Sequence, residues 1–578
     1  MSRILLPLLG SALCPSAIAE PAAGREGPLA EASISGTSDF EFRYYRDDRT
    51  LPDFPDEDHL FDYFEAVERL NLLADGGVWQ VGAQADLLGI FWSHYYLDDQ
   101  KVYEFDLHGD GVRFPAPAAY ANVEKLWLTG RGERAEAQLG DGYVAFGRGL
   151  ALNLVKNTDI DIDTSVRGAH ARASLGMWDL AMVTGVTNAQ QILQDNPNRQ
   201  VRADKHHMVS GVRVDRYGLG PANVGAHGVL YSFNRAVEPT LSPFAAYGRP
   251  VDAVVGGANL ELFGVGGVDW YLEGDVFHHR SQDLFPDSEA RLGYTAYGSA
   301  SFYPGKLTVL IEAKHYVNGE RVNYLPSLDN FEVAVGPTLE YERVITEDSS
   351  AAVNSNDITG GRVRVDIAAK PGVLIPYVSL ASFRDRDLGL LHFNTTPETI
   401  VHPVAGLEWF GEDLHLLLNG GYRLDMRDEG ESGEDYGADQ MAHVDASFGF
   451  PLGPAHGELD LAVQRFWWGV NLNQQHDFTI GTVALAGHFE RGLSVILYSD
   501  YSDDPLIDSV GNIPLELERD GEPYRPLYGA AELQWQAFEG ATFKAFYGAY
   551  RAGIRCAGGQ CRLLPGFNGA RLTATITF

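Results

Sequence analysis

The chain closes on FNGARLTATITF, where every second residue is apolar: Ala570, Leu572, Ala574, Ile576 and Phe578. Arg571, Thr573, Thr575 and Thr577 stand between them. Successive side chains of a strand point to opposite faces, so this period assigns the segment one apolar and one polar face. The same period recurs far upstream. VWQVGAQADLLGIFW sets Trp79, Val81, Ala83, Ala85, Leu87 and Phe91 against Gln80, Gln84 and Asp86. GVDWYLEGDVFHHR sets Val268, Trp270, Leu272 and Val276 against Asp269, Tyr271, Glu273 and Asp275. KLTVLIEAKHYV sets Leu307, Val309, Ile311 and Ala313 against Thr308, Glu312 and Lys314; GGRVRVDIAAK sets Val363, Val365 and Ile367 against Arg362, Arg364 and Asp366. The pattern is all-β, and the polar faces carry both signs of charge.

Sandwiches and barrels both alternate, so the connections have to discriminate. Eleven short turns recur, among them Asp75-Gly76-Gly77, Pro304-Gly305, Lys370-Pro371-Gly372 and Glu539-Gly540. Two strands and a longer polar loop separate each turn from the next. Short turns on one side and long loops on the other describe a single transmembrane antiparallel up-and-down β-barrel of the bacterial outer-membrane kind. Eleven turns imply about 24 strands, within a range of roughly 22 to 26. A bilayer tolerates no open sheet edge, so the last strand is expected to pair with a first strand near residues 34–47. Ala570, Leu572, Ala574 and Ile576 then face lipid, and Phe578 joins an aromatic girdle at the periplasmic rim. NFEVAVGPTLEYERV would spoil the alternation as a spanning strand, so residues 318–357 are expected outside the barrel or folded into its lumen.

The amino-terminal MSRILLPLLGSALCPSAIAE has Arg3, an apolar run from Ile4 to Leu13, and Ala17-Ile18-Ala19. That is a secretory signal peptide with cleavage expected after Ala19, and its apolar part is too short to span a bilayer. The expected organisation is a signal at 1–19, a short periplasmic lead at 20–33 and the barrel at 34–578. No later run approaches the roughly 18 apolar residues of a transmembrane helix. Cleavage discards Cys14. Cys556 and Cys561 enclose AGGQ and read as a disulfide pinning a tight loop in an oxidising compartment, with two unpaired thiols as the alternative.

The formal charge is −35. Much of it falls in expected external loops: Asp47, Asp48, Asp53, Asp56, Glu57 and Asp58; Asp428, Glu429, Glu431, Glu434 and Asp435; Asp500, Asp503, Asp504 and Asp508. Such a rim concentrates cations and repels anions. Divalent ions would bridge it to lipid phosphates, so outer-membrane lipid and lipopolysaccharide are expected partners; loop hydration alone explains the same residues. Nucleic-acid binding, which needs a basic footprint, is excluded.

Several residues are candidates for chemistry. Gly147-Arg148-Gly149 interrupts a strand, and two glycines permit a bulge or a close backbone approach. Arg148 is expected to reach the lumen and pair with Asp141 or the following acids, either as an ion-paired bend or as a constriction cation. Asp159, Asp161 and Asp163 of DIDID share one face of an extended chain. They fail as a calcium loop, because Thr164 replaces the turn glycine and His170 the bidentate Glu. A weak divalent-cation site and solvated loop acid remain the two readings. The other lumen candidates are Arg213, Asp215, Glu273, Asp275, Glu312, Lys314, Arg362, Arg364 and Asp366. The sequence holds no G-x-S-x-G and no H-E-x-x-H, and Gly305-Lys306 precedes Leu307, so it is no phosphate loop. His206-His207 and His278-His279 are adjacent pairs that point to opposite strand faces. No enzyme activity and no cofactor are expected.

The terminal strand with its aromatic end resembles the assembly signal of outer-membrane proteins, which implies the barrel assembly machinery as a partner. LGDGYVAFGRGLALNL at 139–154, with ERLNL at 68–72, is similar to a family of large, mostly uncharacterised outer-membrane barrel proteins. Those carry a Gly-Asp, Tyr and Phe-Gly-Arg-Gly-Leu pattern early in the barrel; here Gly142 stands where a bulky residue is expected. The resemblance implies location and fold and brings no activity. Barrels of 16 to 18 strands already leave an aqueous lumen, so the expected function is a porin-like channel for solutes. The alternative is a loop-sealed barrel that serves as scaffold or translocation partner for a periplasmic or surface protein in a secretion, polysaccharide-export or envelope complex.

Overall fold

The computed structural model describes residues 33–45, 63–91, 95–97, 100–102, 104–105, 114–115, 118–154, 156–157, 162–192, 207–233, 251–279, 292–317, 357–385, 398–427, 439–470, 474–502, 527–551, 553–557, 560–564 and 566–578. The expected signal peptide at 1–19, most of the expected lead, Asp159, Asp161, residues 318–356 and most of the acids expected in external loops lie outside them.

Twenty-four antiparallel strands close into one barrel, each hydrogen-bonded to the next. The first eight are β1 Ser33–Tyr45, β2 Tyr63–Asp75, β3 Trp79–Phe91, β4 Ala118–Arg131, β5 Ala135–Gly142, β6 Ile162–Leu175, β7 Trp178–Ala189 and β8 Met208–Leu219. Next come β9 Ala222–Phe233, β10 Val251–Val265, β11 Val268–His279, β12 Leu292–Phe302, β13 Leu307–Val317, β14 Asp357–Ile367, β15 Leu374–Asp385 and β16 Glu398–Phe410. The last eight are β17 His415–Arg427, β18 Asp439–Leu452, β19 Ala455–Val470, β20 Gln474–Phe489, β21 Leu493–Ser502, β22 Leu527–Phe538, β23 Ala541–Tyr550 and β24 Phe567–Thr577. Among the described residues no helix is long and apolar enough to cross a membrane.

The strand number and the closure are those expected from the turns. β1 pairs with β24 from Thr37↔Thr577 to Tyr45↔Gly569. The seam ends in a reciprocal pair: Gly36 N–H donates to the Phe578 carbonyl at 2.8 Å, and Phe578 N–H donates to the Gly36 carbonyl at 3.0 Å. A Cβ on Gly36 would lie 2.7 Å from the Phe578 ring and 2.7 Å from the Asn71 carbonyl oxygen. Glycine is there because the terminal ring lies over it.

The exterior is apolar in the middle, with Val81, Leu126, Leu272, Val276, Val378, Leu380, Leu497 and Leu572 exposed. Trp178, Phe263, Tyr303, Phe410, Phe489, Phe538 and Phe578 are exposed at the ends near the short turns, as an aromatic girdle requires.

The interior is layered. The polar faces read from the sequence carry both signs of charge, but the inward residues nearest the loop ends are apolar over a long arc. Phe277 of β11, Ile358 of β14, Phe383 of β15 and Ile400 of β16 are buried there, and Leu88 and Ile90 do the same on β3. Charged inward residues sit closer to the turns, as with Glu273 and Asp275 below Phe277, or Arg362 and Arg364 below Ile358.

A bulge in β4, away from the short turns, breaks the strict alternation. Gln84 of β3 pairs with Lys125 but Ala85 pairs with Val123, leaving Glu124 as the extra residue. A bulge re-aims side chains. Val123 and Leu126 are 57% and 54% exposed, while the consecutive Glu124 and Lys125 are 1% and 3% exposed. Two neighbouring charges therefore enter the lumen together.

Gly36→Val should leave less of the refolded protein in the compact form that shifts on a gel after heating, because its side chain meets both Phe578 and Asn71. A folded fraction equal to wild type would show that the seam tolerates a side chain there.

Candidate functional site

After β5 the chain turns inward. Val144–Phe146 and Leu152–Leu154 pair as a short hairpin, and the apolar collar of the wall is its seat. Phe146, Ala151, Leu152 and Leu154 pack with Val166, Val183, Val209, Val229, Ala253 and Phe277, and Leu150 packs with Tyr297, Tyr316, Ile358, Phe383 and Ile400. Fully burying each of the four large side chains contributes about 2 kcal/mol. Gly211 of β8 makes room, since a Cβ there would lie 2.7 Å from the Phe146 ring. The Tyr231 hydroxyl donates to the Ala151 carbonyl.

The tip is Gly147-Arg148-Gly149. Gly149 N–H donates to the Phe146 carbonyl at 2.9 Å, closing a tight turn. Gly147 has φ +58°, and a Cβ on it would lie 2.0 Å from Glu273 Oε1. Glycine is needed on both counts. Arg148 N–H donates to Glu273 Oε2 at 2.7 Å. Its guanidinium carbon lies 4.7 Å from the centre of the Tyr271 ring and 5.5 Å from that of Tyr297. Cation–π contact thus fixes the head, while the residue stays exposed to the lumen.

The expected pairing of Arg148 with Asp141 is not what the structure holds. Asp141 instead accepts from Arg167 Nε and Nη2 at 3.1 to 3.2 Å, from Asn188 Nδ2 at 2.8 Å and from Leu126 N–H at 2.8 Å. Arg167 is nearer along the wall because β6 pairs directly with β5, with Arg167 opposite Asp141. The hairpin carries Arg148 away toward β11 and β12.

Asp163 is held by cations. Lys125 Nζ bonds to its Oδ1, and Lys156 Nζ lies 3.2 Å from Oδ2. Lys125 also donates to the Tyr143 hydroxyl at 2.8 Å, which donates to Asp163 Oδ1 at 2.5 Å. Although the Tyr143 ring is half-exposed, burial of its hydroxyl end, reinforced by the Asp163 carboxylate, pushes the phenol up and keeps it a donor. Two lysines thus neutralise Asp163, while Asp159 and Asp161, the other members of the expected cation site, lie outside the described residues.

The remaining lumen candidates pair mostly with close neighbours. Arg213 Nε lies 2.8 Å from Asp215 Oδ2. Arg362 holds Glu312, whose other oxygen accepts from the Tyr297 hydroxyl at 2.7 Å. Arg364 lies 2.7 Å from Asp366 and stacks 4.2 Å from the Tyr377 ring centre. Lys314 sits 5.4 Å from the ring centres of Tyr316 and Phe383. The wall is largely self-neutralising. Cys556 and Cys561 are register partners of the hairpin Gly553–Ala557 and Gln560–Leu564.

Sequence reading passed over two histidine sites, because their partners lie on different strands. His227 Nε2 of β9 is 2.5 Å from Asp275 Oδ1 of β11, across Gly257 of β10. His402 of β16 shares a 3.0 Å hydrogen bond with His443 of β18, whose Nδ1 is 3.0 Å from Asp445 Oδ2. Gly421 of β17 lies between these rings, and a Cβ on it would come within 2.4 Å of His443 Nε2. Each time, a glycine on the middle strand opens a window for side chains of its neighbours. Alternation with a glycine at the inward position is the signal that finds such sites.

Asp141→Ala should lower stability by about 2 kcal/mol or more, since Arg167 and Asn188 would lose their acceptor while Arg167 keeps some solvent. The unfolding midpoint in denaturant reads this directly, and an unchanged midpoint would contradict it.

No protein-family model matches the chain, and no curated protein is significantly similar to it. Among solved structures it is similar to the copper transporter OprC, with TM-score 0.42 and 10% identity, covering 96% of this chain and 82% of that one. It is similar to OpdK of Pseudomonas aeruginosa bound to vanillate, with TM-score 0.35 and 15% identity over 74% of this chain and 100% of that one. The translocation pore of the P pilus usher PapC gives TM-score 0.37 and 10% identity over 94% and 99%. Likeness at this level assigns no activity to the chain.

Proposed function

We propose that the chain is an outer-membrane channel that passes solutes through a lumen narrowed from within by residues 143–154. The observation that carries this reading is the hairpin seated on the apolar collar, with Arg148 exposed at its tip and its backbone tied to Glu273. An inward segment that presents one cation is a means of setting both bore and selectivity. The acidic rim would gather cations at the mouth, and Arg148 would oppose them at the constriction. In this reading residues 1–19 direct export, the terminal strand ending at Phe578 is read by the barrel assembly machinery, and a Cys556–Cys561 disulfide pins an external hairpin. Lipopolysaccharide would meet the acidic loops through bridging divalent ions.

A second reading rests on a separate observation. The wall charges Arg423, Asp425, His443 and Asp445 are buried, with Arg423 and His443 hydrogen-bonded to the two aspartates. That packing favours a sealed barrel acting as a scaffold or translocation partner for a periplasmic or surface protein.

Single-channel recording in a planar bilayer separates the two. The channel reading expects steady unit currents, an increase in conductance when residues 144–154 are replaced by a short glycine linker, and a reversal potential shifted toward cation preference by Arg148→Glu. Silence from a folded, heat-modifiable barrel, both as wild type and with the hairpin removed, would overturn it and leave the sealed scaffold.

A further inference from the structure

The buried cluster under the hairpin tip has more ligand character than its role as an anchor requires. His227, Glu273 and Asp275 each offer a donor atom, and these atoms lie within 4.8 Å of one another. The three residues are 7%, 4% and 2% exposed. Two cross-strand rows build the site: His227, Gly257 and Asp275 in one, Gly225, Asn259 and Glu273 in the next. A Cβ on Gly257 would lie 1.7 Å from Asp275 Oδ1 and 2.5 Å from His227 Nε2, so only glycine lets these groups meet.

The hydrogen bonding is divided in a way that suits a metal. Glu273 Oε2 is held by the Tyr271 hydroxyl and by Arg148 N–H, while Oε1 is buried with no hydrogen-bond partner. Asp275 Oδ2 accepts from Thr295 at 3.4 Å, leaving Oδ1 on the imidazole. His227 Nδ1 and Asn259 Oδ1 are also buried without a partner. Each carboxylate is oriented from outside through one oxygen and turns the other inward, the task of outer-shell groups around a metal. Two carboxylates this close and this dry repel each other unless a cation joins them.

We propose that His227, Glu273 and Asp275 bind one divalent transition-metal ion in the wall of the lumen, with Asn259 adjacent as a further oxygen donor. One imidazole and two carboxylates form a donor set suited to zinc and its first-row neighbours. Calcium prefers six to eight oxygen ligands and magnesium retains its waters, so neither is favoured. The ion would cross-link β9 and β11 and stiffen Glu273, which carries the backbone of Arg148. This holds whether or not the barrel conducts.

The test is zinc retention by the full-length barrel refolded in detergent, stripped with chelator, exposed to zinc chloride and desalted. We expect about one zinc per folded barrel by elemental analysis, and a fall in affinity of about tenfold or more in His227→Gln and in Asp275→Asn. Heat-modifiable migration establishes that each variant has formed its barrel, and Glu273→Gln replaces any variant that has not. Asp504→Asn, in the acidic stretch that follows β21 in the sequence, should bind as wild type does. Retention of no zinc by the folded wild type, or equal retention by folded His227 or Glu273 variants, would overturn the proposal.

Discussion

In a bilayer each unpaired backbone group costs several kcal/mol, so the rest of this structure depends on the seam between β1 and β24. Nine register pairs make that seam, and its geometry is tight at both ends. Gly36 lies under the Phe578 ring, and at the other end Gly569 adopts φ +148° with no space for a Cβ beside the Tyr44 carbonyl. Arg43 and Arg571 fall directly opposite each other, a destabilising arrangement if both heads stayed there. They part instead: Arg43 lies 2.8 Å from Glu41, and Arg571 leans over the rings of Phe546 and Phe567.

Closure creates an interior, and the interior determines what the barrel can do. Near the loop ends its wall is apolar, which would be costly against water but suits the hairpin of residues 144–154. Nearer the turns it is charged, and most charges find a partner two residues along the same strand or on an adjacent one. The hairpin joins these layers, with Phe146, Leu150, Leu152 and Leu154 in the collar and the Arg148 backbone on Glu273. Glycines decide where side chains can cross from strand to strand, as Gly257 does for His227 and Asp275 and Gly421 for His402 and His443.

The fold was legible because its signals are local. Alternation in β11, β13 and β14 and short turns such as Pro304-Gly305 need only neighbouring residues to be read, and together they count the strands. The site was legible in part. Gly147-Arg148-Gly149 marked itself as a break, but its partner did not follow, since Glu273 is 125 residues away and is reached only through the hairpin fold. The Glu124 bulge was hidden for a related reason: its one-residue slip exists only in the pairing of β4 with β3. Nothing in the local sequence pairs His227 with Asp275, because β10 stands between their strands. Inward apolar residues such as Ile358 and Phe383 were indistinguishable in type from lipid-facing ones, and the seated hairpin, through Leu150, explains them.

In the proposed channel Arg148 stands in the path of permeating ions. The direct measurement is current through single channels carrying Arg148→Cys, with Cys556 and Cys561 both changed to Ser, while a bulky charged thiol reagent is added. Labelling should cause a stepwise, permanent fall in unit conductance as each channel reacts. Unchanged conductance, with mass spectrometry showing complete labelling at position 148, would contradict it.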